Sequence, residues 1–357
     1  MPDVVVVGGG VMGLGAAREL RRRGLQQVCV IERGQTGRGA SWASAGIVGA
    51  TEREEADPRL ELRRVSRGLW PTFAAELAEE AGLDPEYRET GCLFAARQQD
   101  ELEWLRRRGP VLEGATLRDF EPALGPAVLG GLPRAGGSVD PRRLVRALEL
   151  AVRRAGVEVR TGVEVRGLRT RAEVVIGVDT SDGAIDADLV VIAAGAWSST
   201  LDGCEPRPPV QPQRGQILAL DHSAVRLQHV LLTPTDPYLV PRPDGRLVIG
   251  ATREEAGWDP ALTAGGVAWL LDEAMTLVPG LRDCPILELW TGFRPLSSDG
   301  LPLIGPGGLR GLWYLTGHGP SGIAPLPGSL ALFGALVTSQ PPPVDPTAFR
   351  PTRFSPG

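Results

Sequence analysis

The fold of this chain is decided near its start, by the stretch VVVVGGGVMG at residues 4–13. Four consecutive β-branched apolar residues predict a strand that is buried on both faces. Residues 11–23 then follow a helical pattern, which Gly24 ends. A second apolar run at residues 28–31 predicts another buried strand, and Glu32 follows it directly. The first part of the chain is therefore predicted to be a β-α-β unit.

Three glycines of this unit have the spacing G-x-G-x-x-G. Gly8 permits a tight turn, Gly10 lets a pyrophosphate approach the backbone, and Gly13 lets the helix pack closely on the strand. The amide groups at the start of the helix offer a site for anionic oxygens. Glu32 can accept hydrogen bonds from a ribose 2′-hydroxyl, which argues against a 2′-phosphate. The unit predicts dinucleotide binding, with a glycine-rich turn of another α/β protein as the alternative.

The composition excludes several classes of function. The chain has 357 residues, which suggests two domains at about 150 residues each. All 38 basic residues are arginine, so a lysine Schiff base and a P-loop lysine are excluded. The net charge of −5 argues against nucleic-acid binding. Four scattered cysteines indicate neither a zinc site nor a disulfide framework, and we expect no metal.

The sequence contains no candidate membrane segment. No apolar window approaches about 20 residues, and no basic stretch precedes the first apolar run, so a secretion signal is not indicated. We therefore expect a cytoplasmic protein with reduced thiols and no membrane span.

Further elements are predicted along the rest of the chain. Asp140 and Pro141 are typical of a helix start. The predicted helices are 57–83, 140–155, 264–278 and 327–337, and the predicted strands include 157–165, 174–180, 188–194, 216–220, 238–241, 246–249, 289–294 and 311–316. From residue 340 onward the chain is rich in proline, and we expect it to be loosely held.

A loop of small residues follows the first β-α-β unit, at positions 39–47. A loop exposed to solvent is usually more polar. This composition suits a flat group that passes close to the backbone, and a simple tight connection is the alternative.

Five separated motifs, in this order, resemble the FAD-dependent amine and amino-acid oxidases of the glycine oxidase, sarcosine oxidase and D-amino-acid oxidase group. They are VVGGGVMG at 6–13, IERG at 31–34, SWASAG at 41–46, DLVVIAAGAWS at 188–198, and a C-terminal set of WTGFRP at 290–295, DGLPLIG at 299–305 and TGHGPSGI at 316–323. The segment from YLVPR at 238–242 to IGAT at 249–252 is most similar to the glycine oxidase branch.

The resemblance implies FAD as the cofactor. Sarcosine oxidases attach their flavin through a cysteine in the C-terminal segment, but the nearest cysteine here is Cys284, upstream of Trp290. We therefore expect non-covalent FAD. The residues that the resemblance assigns to the cofactor are Gly8, Gly10, Val11, Met12, Gly13, Glu32, Arg33, Ala40, Ser41, Ala45, Gly46, Ile47, Val163, Gly195, His318, Gly319, Pro320, Ser321, Gly322 and Ile323.

The resemblance also assigns a substrate site. Arg294 matches the arginine that holds the substrate carboxylate, and Tyr238 matches a tyrosine that assists it; a surface arginine and a half-buried strand tyrosine are the alternatives. His318 is expected near the same place. Two positions depart from the family pattern: Pro320 replaces an arginine that contacts substrate in glycine oxidases, and Arg253 replaces a residue that is often apolar. The positive charge at Arg253 fits a second anionic group on a larger N-substituent.

The implied reaction is hydride transfer from the carbon between nitrogen and carboxylate to the flavin, followed by hydrolysis of the imine to an amine and a 2-oxo acid. No catalytic base is obligatory. Reoxidation by O2 would yield H2O2, but sarcosine oxidases promote that step with a lysine, which this chain lacks. A cation that promotes reoxidation in place of this lysine would have to be His318, Arg253 or Arg242. The alternatives are a D-amino-acid or proline-type dehydrogenase with another electron acceptor, and a non-catalytic flavin-binding module.

The expected fold class is α/β, with an α+β second domain. A Rossmann-like FAD-binding domain is predicted from residues 1–75, 138–210 and 288–340, and a substrate domain with an antiparallel sheet from 76–137 and 211–287, followed by a proline-rich tail at 341–357. The expected partners are a small amine or amino acid, O2 or another electron acceptor, and further copies of the chain in a homo-oligomer.

Overall fold

The computed structural model describes residues 2–49, 57–235 and 237–354. Its strands, in chain order, are β1 (Val4–Val7), β2 (Val28–Glu32), β3 (Ile47–Val48), β4 (Cys92–Ala96), β5 (Leu112–Glu113), β6 (Gly130–Arg134), β7 (Gly137–Ser138), β8 (Glu158–Thr161), β9 (Val165–Arg171), β10 (Val174–Thr180), β11 (Gly183–Asp186), β12 (Leu189–Ile192), β13 (Val210–Asp221), β14 (Val230–Leu232), β15 (Tyr238–Pro241), β16 (Arg246–Gly250), β17 (Ile286–Ser297), β18 (Leu303–Pro306) and β19 (Leu312–Thr316).

The α-helices are α1 (Val11–Arg22), α2 (Ala40–Ala43), α3 (Pro58–Ala81), α4 (Gln99–Arg106), α5 (Gly114–Phe120), α6 (Pro141–Arg154), α7 (Ala264–Leu277) and α8 (Leu326–Val337). The five helices predicted over 11–23, 57–83, 140–155, 264–278 and 327–337 are thus confirmed to within a few residues. The cap predicted for α6 is also present, because the Asp140 carboxylate accepts hydrogen bonds from the amides of Arg142 and Arg143.

A six-stranded sheet in the order β18-β19-β12-β1-β2-β8 forms the centre of the nucleotide-binding half. Strand β1 pairs in parallel with both β2 and β12, which explains why all four of its valines are buried. The side chains of β1 alternate between two hydrophobic cores, one on each face of the six-stranded sheet. Val4 and Val6 pack with helices α1, α3, α6 and α8, whereas Val5 and Val7 pack toward the small sheet on the opposite face.

That small sheet has three strands in the order β11-β10-β9. The prediction of a single strand over 157–165 is wrong. Gly162 has φ +75° and divides the segment into β8, which pairs with β2, and β9, which pairs with β10. The positive φ, which glycine adopts readily, lets the chain leave one sheet and enter another.

An eight-stranded sheet in the order β17-β13-β16-β15-β14-β4-β6-β5 forms the second half. One face packs on α5 and α7, with Leu218, Leu239 and Ile249 in the core. The other face packs on the small-residue segment of α2, where Ala43 contacts the indole of Trp290. The nucleotide-binding half therefore contacts the eight-stranded sheet on the face opposite to α5 and α7, which we call the second face.

The expectation of a loosely held chain from residue 340 onward is wrong for the described part of that segment. Val344 and Phe349 are buried, and they belong to the core on the helix side of the six-stranded sheet. Two short 3-10 turns, Thr347–Phe349 and Pro351–Phe354, follow. Proline restricts the backbone, but the apolar side chains between the prolines still anchor it.

The proposed division of the chain into two discontinuous domains stays a prediction. Strand β17, at Ile286–Ser297, crosses the predicted boundary between residues 287 and 288, and all of it pairs with β13 in the eight-stranded sheet. Across the described ranges, no helix combines the length and apolar character needed to cross a membrane.

Candidate active site

A cavity of about 670 Å³ lies between the six-stranded sheet and the second face of the eight-stranded sheet. It extends from the carboxyl ends of β1 and β2 to strands β4, β14 and β15. All residues predicted to bind cofactor or substrate line this cavity, with the exception of Gly13. Their individual roles stay predictions, whereas their convergence on one cavity is an observation.

At one end of the cavity the backbone of the first β-α-β unit forms the wall. Gly8 has φ +111°, and a Cβ atom there would lie 2.5 Å from the carbonyl oxygen of Ala193. A Cβ atom at Gly13 would lie 1.8 Å from the carbonyl oxygen of Gly8. Gly13 therefore acts outside the cavity, by letting α1 approach β1 closely. Helix α1 presents its N-terminus to the cavity, where a diphosphate would be stabilised.

The carboxylate of Glu32 organises the turn beside this helix. It accepts a hydrogen bond from the amide of Gly9 at 2.8 Å and another from the amide of Gly34 at 2.9 Å. A carboxylate has about four acceptor positions, so these bonds leave room for a ribose hydroxyl. Val163 lies close by, and its amide donates to the carbonyl of Glu32 at 3.1 Å.

An aromatic stack that the sequence analysis missed borders the same end. The Arg33 guanidinium lies over the Trp197 ring, 3.8 Å from its centroid, and Trp197 stacks on Trp258 with centroids 4.8 Å apart. Phe293 packs edge-on against both indoles. Trp197 belongs to one of the quoted motifs, but no sequence signal connects it to Trp258 or Phe293.

The loop of small residues at 39–47 lines the cavity, and contacts outside the cavity fix its backbone. A Cβ atom at Gly46, which has φ +63°, would lie 2.0 Å from the carbonyl oxygen of Val139. Arg242 donates to the carbonyls of Ala45 at 2.6 Å and Val139 at 2.9 Å. Burial lowers the pKa of Arg242 to about 10, so it stays charged at neutral pH. Arg242 does not line the cavity, and the expectation that it helps the oxygen reaction is not supported by its position.

The C-terminal glycine-rich turn forms the wall opposite this loop. His318 is buried, and its Nε2 pairs with the hydroxyl of Ser329 at 3.1 Å. Burial lowers the pKa of His318 to about 3, so the imidazole is neutral at physiological pH. This burial argues against His318 as the source of positive charge for the oxygen reaction. Helix α8 begins at Leu326, after a 3-10 turn at Gly319–Ser321 that lines the cavity.

At the other end of the cavity two polar side chains converge over two glycines. Tyr238 lies opposite Gly250, where a Cβ atom would be 2.6 Å from its hydroxyl oxygen. Arg294 lies over Gly215, where a Cβ atom would be 2.5 Å from its Nη2. Gly250 pairs with Ile217, two residues from Gly215 on the neighbouring strand. Such diagonal neighbours are about 7–8 Å apart, so both side chains reach one small ligand.

Backbone carbonyls fix the guanidinium of Arg294. Its Nη1 donates to the carbonyl of Thr252 at 2.9 Å and to the carbonyl of Arg214 at 3.3 Å. A guanidinium carries five N–H groups, and these two bonds use only those of Nη1. The planar fork then suits bidentate binding of both carboxylate oxygens.

An ion network around the buried side chain of Arg214 supports the segment behind Arg294. Arg214 pairs with Glu254 and, at 2.9 Å, with Asp259. The side-chain amide of Gln216 donates to the carboxylate of Glu254 at 2.8 Å. Burial acts to raise the pKa of Glu254, but the hydrogen bonds from Thr252, Arg214 and Gln216 outweigh it and leave this pKa below its usual value. The network holds both strands that position the arginine.

Arg253 lies between two members of this network, Thr252 and Glu254. It is exposed, and it borders both the main cavity and a second cavity of about 420 Å³. The hypothesis that Arg253 binds a second anionic group of the substrate stays a prediction.

The lining residues that were not predicted from the sequence include Arg63 of α3, Phe94 of β4, Trp104 of α4 and Leu232 of β14. None of them lies in a quoted motif, and an arginine or an apolar residue in such elements carries no distinctive signal. The pairing of distant strands brings them to the site.

The residues of the cavity fit an FAD molecule. Glu32, the N-terminus of α1 and the loop of glycine and alanine residues all line the cavity, and they suit the adenosine ribose, the diphosphate and the flat ring of FAD respectively. None of Cys29, Cys92, Cys204 and Cys284 lines it, which favours non-covalent binding.

Comparison with known proteins agrees with this assignment. The DAO family model, which describes FAD dependent oxidoreductases, matches residues 3–333. This chain belongs to that family. The predicted Rossmann-like α/β fold, the FAD cofactor and the assignment as an FAD-dependent oxidoreductase of amines or amino acids are thereby confirmed.

Several relatives match over nearly their whole length. Glycine oxidase of Pseudomonas aeruginosa is 37% identical over 361 residues, which cover 98% of each chain. The crystal structure of glycine oxidase from Geobacillus kaustophilus superposes with a TM-score of 0.92 at 33% identity, covering 99% of both chains. Iminodiacetate oxidase from Chelativorans sp. BNC1 superposes with a TM-score of 0.86 at 30% identity, covering 98% of both. The family group predicted from the motifs is therefore confirmed.

Proposed function

We propose that the chain oxidises the C–N bond of glycine or of an N-substituted glycine. The observation that carries this proposal is the convergence of Arg294 and Tyr238 over two glycines at the cavity wall. A guanidinium with fixed orientation and a phenol hydroxyl suit the carboxylate of a small amino acid. Among the relatives, two glycine oxidases and an iminodiacetate oxidase act on amines of this kind by name, which supports the same class.

The chain's own residues bind and orient the substrate. Arg294 holds the carboxylate, and the carbonyls of Thr252 and Arg214 prevent the guanidinium from rotating. The carbon next to the carboxylate is thereby held at a constant distance from the wall formed by the glycine-rich turn at 318–322. Such positioning accounts for a large part of the rate acceleration in reactions without a protein base.

FAD held by the first β-α-β unit and the glycine-rich turn at 318–322 would supply the acceptor for the hydride of this carbon, and H2O2 would be the product where O2 takes up the two electrons. The nitrogen lone pair of the neutral amine assists departure of the hydride. The resulting imine takes up water and splits into an amine and a 2-oxo acid. No side chain is required as an obligatory base, and the apolar lining limits access of water to the reacting carbon.

Reaction with O2 calls for a positive charge near the flavin, and neither a lysine, which the chain lacks, nor the uncharged His318 supplies it. Arg33, Arg38, Arg63, Arg253 and Arg294 are the guanidinium groups that line the cavity. We propose O2 as the acceptor, with one of these arginines supplying the positive charge. A family dehydrogenase that uses a different acceptor is the second candidate.

Two measurements on the purified holoenzyme test the proposal. Under anaerobic conditions, glycine or sarcosine is expected to bleach the flavin absorbance, and under air the same substrates should produce stoichiometric H2O2 and glyoxylate. Bleaching without peroxide would identify a dehydrogenase. Absence of bleaching by glycine, N-alkylglycines, proline and D-amino acids would overturn the proposal and leave a non-catalytic flavin-binding module.

A further inference from the structure

One row of side chains crosses the eight-stranded sheet at the cavity. Phe94 pairs with Leu232, and the antiparallel pairing of Leu231 with Leu239 places Leu232 opposite Tyr238. Residues in register on neighbouring strands project from the same face, about 4.8 Å apart. The row therefore runs from Tyr238 to Leu232, about one strand spacing away, and on to Phe94, about two strand spacings away.

A third aromatic residue closes this part of the cavity. Trp104 of α4 packs with Leu232 against the cluster that contains Phe94, and all three line the cavity. The guanidinium of Arg108 stacks on Trp104 at 3.8 Å from the ring centroid and donates to the Trp104 carbonyl at 3.2 Å. The indole is thus held in place. We call the space bounded by Phe94, Trp104 and Leu232 the apolar chamber.

Glycine alone does not account for such a chamber. A glycine held at its carboxylate spans about one strand spacing, so its nitrogen reaches toward Leu232 but not Phe94. An apolar group placed there removes apolar surface of all three side chains from water, which is favourable at about 25 cal/mol per Å².

We propose that the apolar chamber binds a bulky apolar N-substituent, so that the preferred substrate is an N-substituted glycine with an aromatic or branched group on nitrogen. This inference rests on the proposed function and specifies its substrate class. An anionic N-substituent bound by Arg253 is the competing possibility. Arg253 is exposed, and it borders both the main cavity and the second cavity.

Anaerobic flavin reduction with four substrates distinguishes these possibilities: sarcosine, N-benzylglycine, iminodiacetate and D-phenylalanine. We expect the second-order rate constant for N-benzylglycine to exceed that for sarcosine at least tenfold, since one well-placed apolar group commonly contributes about that factor. Equal rate constants would overturn the inference, and so would a preference for iminodiacetate or D-phenylalanine over N-benzylglycine. If none of the glycine derivatives reduced the flavin, the proposed function would fail instead.

Variants of the chamber test its location. Leu232→Trp fills the space and should reverse the ratio of N-benzylglycine to sarcosine, whereas Phe94→Ala removes one wall and should lower that ratio about tenfold. Phe120→Leu is the matched control, because Phe120 stacks on His229 in the same half of the molecule and does not line the cavity. An unchanged ratio in both chamber variants would contradict the inference.

Binding without turnover provides a second readout. Phenylbutanoate and butanoate match N-benzylglycine and sarcosine, with a methylene in place of the nitrogen, and neither can be oxidised at that position. We expect phenylbutanoate to bind at least tenfold more tightly, measured by the change in the flavin spectrum, and Leu232→Trp to abolish the difference. Equal affinity of the two acids for the unmodified protein would also overturn the inference.

Discussion

The two ends of the cavity are built in different ways. The nucleotide end consists mainly of backbone from consecutive residues, with Gly8, Gly10 and Glu32 within one β-α-β unit. The substrate end consists of side chains from strands far apart in sequence, such as Tyr238 and Arg294, which meet through sheet register. The first end depends on the absence of side chains, whereas the second depends on which side chains are present and how they are aligned.

The largest effect is expected at the nucleotide end, from Gly13→Ala. The new Cβ would lie 1.8 Å from the Gly8 carbonyl oxygen, so α1 must move away from β1. We expect loss of FAD from the purified protein, measured as the ratio of flavin to protein absorbance, together with a large decrease in melting temperature.

Gly68→Ala is the matched control for that substitution. Gly68 lies inside α3, and a Cβ atom there meets nothing within 4 Å. Alanine should leave FAD content unchanged and stabilise the helix by up to about 1 kcal/mol. Normal FAD content in Gly13→Ala would show that the close approach of helix and strand is not needed.

At the substrate end, Arg294→Met should leave FAD content intact and reduce kcat/KM for sarcosine by about 10²–10³, the usual range for losing a bidentate charged contact. Arg294→Lys keeps the charge but loses the planar fork, and it should recover only part of the activity. Arg207→Met, at a side chain that is 63% exposed, is the control. Loss of FAD in Arg294→Met would contradict the independence of the two ends.

The ion network behind Arg294 should affect stability and KM together. Glu254→Ala leaves Arg214 with Asp259 as its remaining acidic partner, and Arg214 is 5% exposed. We expect a loss of about 2 kcal/mol in unfolding free energy, because Glu254 is partly exposed and Arg214 keeps Asp259, and a higher KM for the amine. A stability loss without a change in KM would show that the network does not position Arg294.

The same carboxylate predicts a pH dependence. The folded pKa of Glu254 lies below its unfolded value, so its contribution to stability is complete above the unfolded pKa, about 4.3, and is lost as pH falls through the folded pKa. Glu254→Gln should therefore lose less stability than the unmodified protein in that acidic range, measured by denaturant unfolding at a series of pH values. Parallel curves for the two proteins would contradict this.

The last effect concerns His318, and it is expected only at acidic pH. Its folded pKa of about 3 lies below the unfolded value of about 6.5, so the unfolded chain binds a proton first as pH falls. Stability should decrease below pH 6.5 by at most about 1.4 kcal/mol per pH unit from this group. His318→Gln should have a shallower decrease between pH 6 and pH 4, and an equally steep decrease would show that the imidazole is not kept neutral.

The sequence predicts the nucleotide end well because each of its requirements is local. A glycine at position 8 or 13 and an acid at position 32 can be read from spacing within one unit, and the motif resemblance extends this to Arg294 and Tyr238. The division of 157–165 at Gly162 was missed, because a strand may continue or change sheets with the same apolar pattern. The packed segment around Val344 was missed because proline content conceals a few buried side chains.

The sequence by itself determined the β-α-β unit, the FAD family and the absence of lysine, since these follow from residue type and local spacing. Only the tertiary structure decided that His318 is neutral, that Arg242 supports a loop, and that Phe94, Trp104 and Leu232 enclose the apolar chamber. The physical reason is that burial and sheet register depend on pairing between residues distant in the chain. The charge state of a side chain and the specificity of the site depend on those distant neighbours, so they cannot be predicted from the local sequence.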